Sequence, residues 1–190
     1  MMRAWPADLI IGIWVVWFVF WRFSARKVKP VEQQESIGSR LSYLLPMMLV
    51  IVLMLWQDWP GWLGAQLLDG GWPEYWASVA LIVAGLTWTV WARKTLGDNW
   101  SGRVTVKTGH ELVRSGPYRW LRHPIYTGAL LALSGSALAS GAAAGFVGLV
   151  VAICALVYKL RIEERWMLRQ FGEAYRDYQR VSWALLPFIY

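Results

Sequence analysis

A single cysteine, Cys154, is all the thiol this 190-residue chain possesses, so an intramolecular disulfide and a metal–thiolate cluster are both excluded, and no metal site is expected. Charge is scarce as well, at 16% of residues, against 57% hydrophobic residues and 15 Trp. That balance excludes an ordinary soluble domain and points to a membrane protein. No Lys or Arg lies between Gln57 and Glu74, where Asp58, Asp69 and Glu74 are the only charges. No repeat or low-complexity linker divides the chain, so one structural domain is expected overall. The first apolar stretch lacks a basic leader beyond Arg3 and a small-residue cleavage site, and a basic cluster follows it, so it is expected to be retained.

What is present is apolar sequence in long runs. Leu9–Trp21, Leu41–Trp56, Tyr75–Ala92 and Tyr126–Leu160 are almost free of charge. A bilayer core of about 30 Å takes roughly 17 to 25 helical residues. The first three runs therefore predict one span each. The last is too long for one helix, and SGSALASGAAAG near its middle supplies small residues and a turn, which predicts two short spans packed as a hairpin. The fold class expected is an all-α integral membrane protein with about five transmembrane helices. Every Lys and Arg except Arg3 then falls on one side, which places the N-terminus outside and the C-terminus in the cytoplasm. The net charge of +7 is thus a topology signal near anionic headgroups, and no nucleic-acid partner is expected. Trp5, Trp56, Trp59, Trp62, Trp72 and Trp100 fall near the predicted interfaces, where amphipathic rings anchor.

Two segments exceed what topology needs. In the cytoplasmic loop Arg93–Arg122, the stretch GRVTVKTGHELVRSG alternates Val104 and Val106 with polar residues, which predicts a short extended stretch or hairpin. In the tail RIEERWMLRQFGEAYRDYQR, apolar residues from Ile162 to Tyr178 recur at helical spacing, which predicts an amphipathic helix continuing the fifth span and breaking near Gly172. The division that follows is 1–92, three spans, and 93–190, a core of loop, hairpin and tail.

The polar groups with reach toward the bilayer are Tyr118 to Tyr126 and Lys159 to Glu164, at the two cytoplasmic ends of the hairpin. His123 and Tyr126 share one helical face, and Lys159 and Glu163 share another. Glu164, adjacent to Glu163, is expected to point elsewhere and to be solvated or paired along its helix. Plainer readings exist for each residue: Arg119 and Arg122 as topology charges, Tyr118 and Tyr126 as interfacial belt, His123 as a helix cap, Tyr175 and Tyr178 as packing.

GHELVRSGPYRWLRHPIYTG, followed by EERWMLRQFGEAYRDY and a terminal LPF, resembles the isoprenylcysteine carboxyl methyltransferase family and its wider relatives, including phospholipid N-methyltransferases. The resemblance covers residues 93 to 188. It implies S-adenosylmethionine held in the cytoplasmic pocket by His110, Glu111, Leu112, Val113, Tyr118, His123, Pro124, Ile125 and Tyr126, with Glu163 on the cofactor's ammonium. It also implies a cation orienting the acceptor: the family's arginine one turn before the glutamate pair is Lys159 here, with Arg161 nearby. Arg180–Trp183 reads RVSW where many relatives have Arg-Val-Pro. The partners implied are the bilayer and a lipid-like or amphipathic methyl acceptor, with carboxylate, amine and thiol all open. A sterol-type reductase and a non-enzymatic membrane scaffold are the competing classes.

Overall fold

The computed structural model describes residues 7–24, 31–100, 105–107 and 111–187. Its long helices are α1 (Ala7–Ser24), α2 (Ile37–Leu55), α3 (Trp72–Leu96), α4 (Pro124–Ser140) and α5 (Ala143–Phe171). They stand where the sequence predicts spans. Three stretches, Ile37–Leu55, Trp72–Asn99 and Ala143–Phe171, are long and apolar enough to cross a membrane. The helices α1 and α4 have 18 and 17 residues, the short end of the spanning range. Val16 on α1 and Met48 and Leu55 on α2 are each more than half exposed, as lipid-facing side chains are and water-facing ones seldom are.

The fold is mostly helical rather than all-α. Strand β1 (Val31–Gln34) pairs antiparallel with β2 (Thr105–Lys107), with an irregularity between Val31 and Gln33. The extended stretch around Val106 is therefore present. Its partner is the loop after α1, because a strand this short gains its hydrogen bonds from whichever edge lies alongside.

Small residues set the closest helix contact. A Cβ on Gly85 of α3 would lie 2.5 Å from the Gly128 carbonyl oxygen, and one on Gly135 of α4 would lie 2.7 Å from the Ser78 carbonyl oxygen. The α3 and α4 backbones thus touch along Gly128, Ala132 and Gly135, the spacing that brings helices together in lipid. On this pair lies α1, with Trp14 Nε1 donating to Ser136 Oγ (3.2 Å) and Trp17 Nε1 to Thr89 Oγ1 (2.6 Å). Arg93, buried, closes two helix ends by donating to the carbonyls of Gly97 (2.7 Å) and Ser24 (2.5 Å) under the Trp100 ring.

Each end of the bundle is laced. Leu67 N donates to Gly141 O (2.8 Å) and Ala143 N to Ala65 O (2.9 Å), so the α2–α3 loop grips the hairpin turn. Gly141 turns the chain with a left-handed φ of 64°. At the other end α5 stops at Gly172, where φ is +52°, and α6 (Glu173–Arg180) continues the tail as expected.

Replacing Gly85 with Val should force α3 and α4 apart. Overpacking costs about 1–3 kcal/mol, so the thermal midpoint should fall by at least about 3 °C. Gly12→Ala, at a position with nothing within 4 Å, should leave it in place. Equal midpoints for the two variants would contradict the backbone contact.

Candidate functional site

The segment before α4 is shaped by its prolines and by the tail. Gly116, at φ 56°, packs against Thr95 of α3 and opens the turn Gly116–Arg119, in which Pro117 and Tyr118 are buried. The tail then runs parallel to residues 120–123. Trp183 N donates to Trp120 O (3.0 Å), Arg122 N to Trp183 O (2.8 Å) and His123 N to Ala184 O (3.1 Å). Thr127 Oγ1 adds a bond to Leu185 O (2.6 Å). Leu160, Ala184 and Leu185 are buried beneath this seam, with Tyr126, Leu130 and Val157 packed around them. Backbone hydrogen bonding alone thus fixes His123 at the mouth of the hairpin.

His123 occupies the cap position of α4, but its side chain makes no capping bond. The ring turns instead toward α5. Its Nδ1 lies 3.5 Å from Glu163 Oε2 and its Nε2 lies 3.5 Å from Glu164 Oε1. The expectation that Glu164 points away is therefore wrong. Neighbouring residues on a helix diverge by about 100°, not 180°, and a ring set between them reaches one with each nitrogen. Nε2 itself is buried without a hydrogen-bond partner among the described residues, the Glu164 contact being electrostatic only.

Each carboxylate has further partners. Glu163 Oε1 accepts from Tyr126 Oη (2.6 Å) and stands 3.7 Å from Lys159 Nζ. The Tyr126 ring stacks parallel to the imidazole with centroids 5.5 Å apart, and Lys159 Nζ sits 4.9 Å from the Tyr43 ring centre and 5.3 Å from that of Tyr126. Glu164 Oε1 accepts from Arg122 Nε (2.6 Å) and Oε2 from Gln179 Nε2 (3.2 Å). Arg122 also donates to the carbonyls of Gln179 (3.4 Å) and Ser182. It is a tie between α5, α6 and the tail, not merely a topology charge. Arg119, by contrast, is exposed.

The structure thus brings together Lys159, His123, Tyr126 and Glu163 of the residues anticipated from sequence, with buried Pro124 and half-buried Ile125 beside them. Tyr118 is buried next door, its carbonyl accepting from Tyr178 Oη (2.5 Å). Tyr175 and Tyr178 are buried as packing residues, and Tyr178 is also a hydrogen-bonding one. Arg161 is exposed, two residues from Lys159 and so on the far side of the helix. His110 lies outside the described residues. Glu111 is exposed, its N–H donating to Asn99 Oδ1 (3.4 Å), while Leu112 and Val113 are half-buried. Arg114 then reaches the Ala174 carbonyl and the Tyr178 ring, which draws this segment to α6. Sequence reasoning missed Tyr43, Arg122, Glu164 and Gln179. A usable signal existed for two of them: Arg122–His123 and Glu163–Glu164 are adjacent pairs of opposite charge at two ends already expected to meet.

Burial dictates the proton affinities around this cluster. It pushes the phenols of Tyr118, Tyr175 and Tyr178 well up, so all three stay neutral. Burial alone would push His123 down, but the two carboxylates of Glu163 and Glu164 beside its ring nitrogens outweigh it and raise the imidazole above its ordinary value. The site is a half-buried row of cations and carboxylates, with a flat aromatic wall and one unbonded imidazole nitrogen.

Comparison with known proteins follows this geometry. The rat protein-S-isoprenylcysteine O-methyltransferase (Rattus norvegicus) is 31% identical over 147 residues, covering 67% of this chain and 49% of the relative. Steroid 5-alpha-reductase DET2 of Solanum lycopersicum is 26% identical over 122 residues, covering 64% and 45%. The chain spans about half the length of these curated relatives. The structure of the eukaryotic intramembrane Ras methyltransferase ICMT, isoprenylcysteine carboxyl methyltransferase, superposes with a TM-score of 0.62 at 20% identity, over 99% of this chain and 70% of that one. That likeness shows a shared membrane fold. The phospholipid methyltransferase family model matches residues 73–174, from the start of α3 into α6, and so takes in the hairpin and both glutamates. The resemblance read from RHPIYTG and FGEAYRDY holds: this chain belongs to the phospholipid methyltransferase family.

Proposed function

We propose that the chain is an integral membrane methyltransferase that uses S-adenosylmethionine and acts on a lipid-like or amphipathic acceptor, most favourably a carboxylate. The observation that carries this reading is His123 set between Glu163 and Glu164 at the mouth of an apolar hairpin, with its Nε2 buried and unbonded. Buried polar atoms without partners are uncommon, and a ligand is one reason to keep one. The residues fit the cofactor's chemistry. Glu163 supplies an anion for an ammonium, the His123–Tyr126 stack a flat wall for an aromatic base, and His123 a polar contact. Tyr118, Pro124 and Ile125 pack beside this cluster, and with His110, Glu111, Leu112 and Val113 they complete the set by resemblance.

The cofactor, when bound, supplies an electrophilic sulfonium methyl. The chain's own task is to position and to exclude water. Lys159, held by two aromatic rings and by Glu163 at 3.7 Å, is a cation that can turn to an acceptor's carboxylate. A carboxylate is already ionised, so no base is required. Amines and thiols would need one, and the phenols here are held neutral by burial. Arg161, exposed, is left as a secondary orienting charge. The cation distribution supports five spans with the N-terminus outside and this site at the cytoplasmic face, with residues 1–92 as support and 93–190 as the reacting core. The sterol-type reductase reading keeps specific support in similarities such as that to DET2.

Calorimetric titration with S-adenosylmethionine and with NADPH separates the two. Charge-assisted bonds contribute about 1.5–3 kcal/mol, but Glu163 already has partners that an arriving ammonium must displace. Glu163→Gln should therefore weaken S-adenosylmethionine binding by about tenfold, with the thermal midpoint as a folding control. Unchanged affinity removes Glu163 from the site; binding of NADPH alone overturns the methyltransferase reading.

The raised pKa of His123 sets a pH dependence. A histidine raised on folding contributes fully below its unfolded value and loses that contribution as pH rises through the folded one. As pH rises past the ordinary imidazole value the thermal midpoint should therefore fall, and His123→Gln should flatten that slope. Identical slopes would show that the imidazole is not paired as described.

A further inference from the structure

A cavity of about 320 Å³ opens on a face of α5 away from the His123 cluster, against the start of α2. Tyr158, Ile162, Arg165, Trp166 and Arg169 line it from α5, at spacings that place them on one face, turned away from Glu163 and Glu164. Ser36 and Ser39 face them from α2. Nothing in the methyl-transfer cluster uses these residues.

Its chemistry is divided. Arg165 and Arg169 stand one turn apart, exposed, and neither has a carboxylate partner among the described residues; the one bond Arg165 makes is to the Arg161 carbonyl (3.3 Å). The acid in the lining, Glu35, has its oxygens engaged by Tyr43 Oη and Ser39 Oγ (2.8 Å). These hydroxyl donors leave the carboxylate charged, so the rim carries two cations to one anion, a net charge of one positive unit. Below it Ile162 is buried and Trp166 half-buried, and with exposed Tyr158 one turn earlier they make an apolar track along this face of α5. A soluble anion needs only the rim. The combination of a planar guanidinium pair, hydroxyls and an apolar track, in a cavity at the small end of the roughly 300–1,000 Å³ range of ligand pockets, matches a headgroup with chains attached.

We propose that this cavity binds the phosphate of an anionic phospholipid, with Arg165 and Arg169 on its oxygens and the acyl chains along the Tyr158–Ile162–Trp166 face of α5. Arginine forks match phosphate geometry, and the cations lie where a helix leaves the apolar layer. The site meets the His123 cluster at one contact, the hydrogen bond from Tyr43 to Glu35, and does not depend on the reading of that cluster.

Native mass spectrometry of the purified full chain in detergent tests it, with phosphatidylglycerol and phosphatidylcholine as probes and inorganic phosphate as competitor. Phosphatidylglycerol should be retained about tenfold over phosphatidylcholine. The Arg165→Gln/Arg169→Gln variant should lose that preference, while Arg176→Gln/Arg180→Gln, which removes two exposed tail charges, should keep it. The thermal midpoint serves as the folding control. Equal retention of the two lipids, or equal loss in both arginine variants, overturns the proposal. Displacement of the lipid by inorganic phosphate at matching concentration reveals an anion site without lipid, and overturns it as well.

Discussion

Arg122 is the point through which the rest of the site is held. Its guanidinium pairs with Glu164 of α5 and reaches the carbonyls of Gln179 and Ser182, so that one side chain joins the loop before α4, the helix after the membrane, and the tail. Both members of the ion pair are largely shielded from water, at 11% and 17% side-chain exposure. In that setting the desolvation of each charge is offset only while its partner stays in place. The backbone seam between 120–123 and 183–184 then fixes the next residue, His123, in register. The histidine's place between two carboxylates follows from these ties.

The membrane part serves the same end by different means. Where α3 meets α4, Gly85, Gly128 and Gly135 let the backbones touch. In lipid, where apolar burial drives no association between helices, such close packing is what orders them. The hairpin is thereby held at its turn by the α2–α3 loop and along its length by α3, leaving its other end to present the polar cluster. Tyr43 and Tyr126 confine Lys159 between their rings, which keeps a cation available at the boundary between the apolar layer and the cluster. A site so arranged can accept a polar ligand from the water side and an amphipathic one from the membrane side, as the proposed reaction requires.

The positions of all five long helices were legible because hydropathy reads burial in lipid directly, and the break at Gly172 was legible because a glycine interrupts the helical apolar pattern there. The pairing of Lys159 with Glu163 followed from a spacing of four. Other features depended on contacts between distant segments. Val106 signalled an extended stretch, but its partner β1 lies in another loop with no alternation of its own to mark it. Trp14 and Trp17 looked like any residues of an apolar span, yet they donate hydrogen bonds into the α3–α4 pair. Glu164 was assigned outward by treating adjacent helical positions as opposite, an error that the two-sided imidazole exposes. Arg122 was hidden by its company: among so many cations that mark topology, nothing in its own neighbourhood distinguished the one that ties α5, α6 and the tail together.

The most direct test of this arrangement is a double-mutant cycle on Arg122→Gln and Glu164→Gln, read by thermal unfolding of the purified chain. Contacting partners in one network couple by about 0.5–3 kcal/mol. The expected result is that each single variant destabilises the chain substantially and that the double variant costs clearly less than their sum, since neither charge is then left buried alone. Additivity to within about 0.5 kcal/mol would contradict it, because Arg122 and Glu164 would then not be acting as one tie.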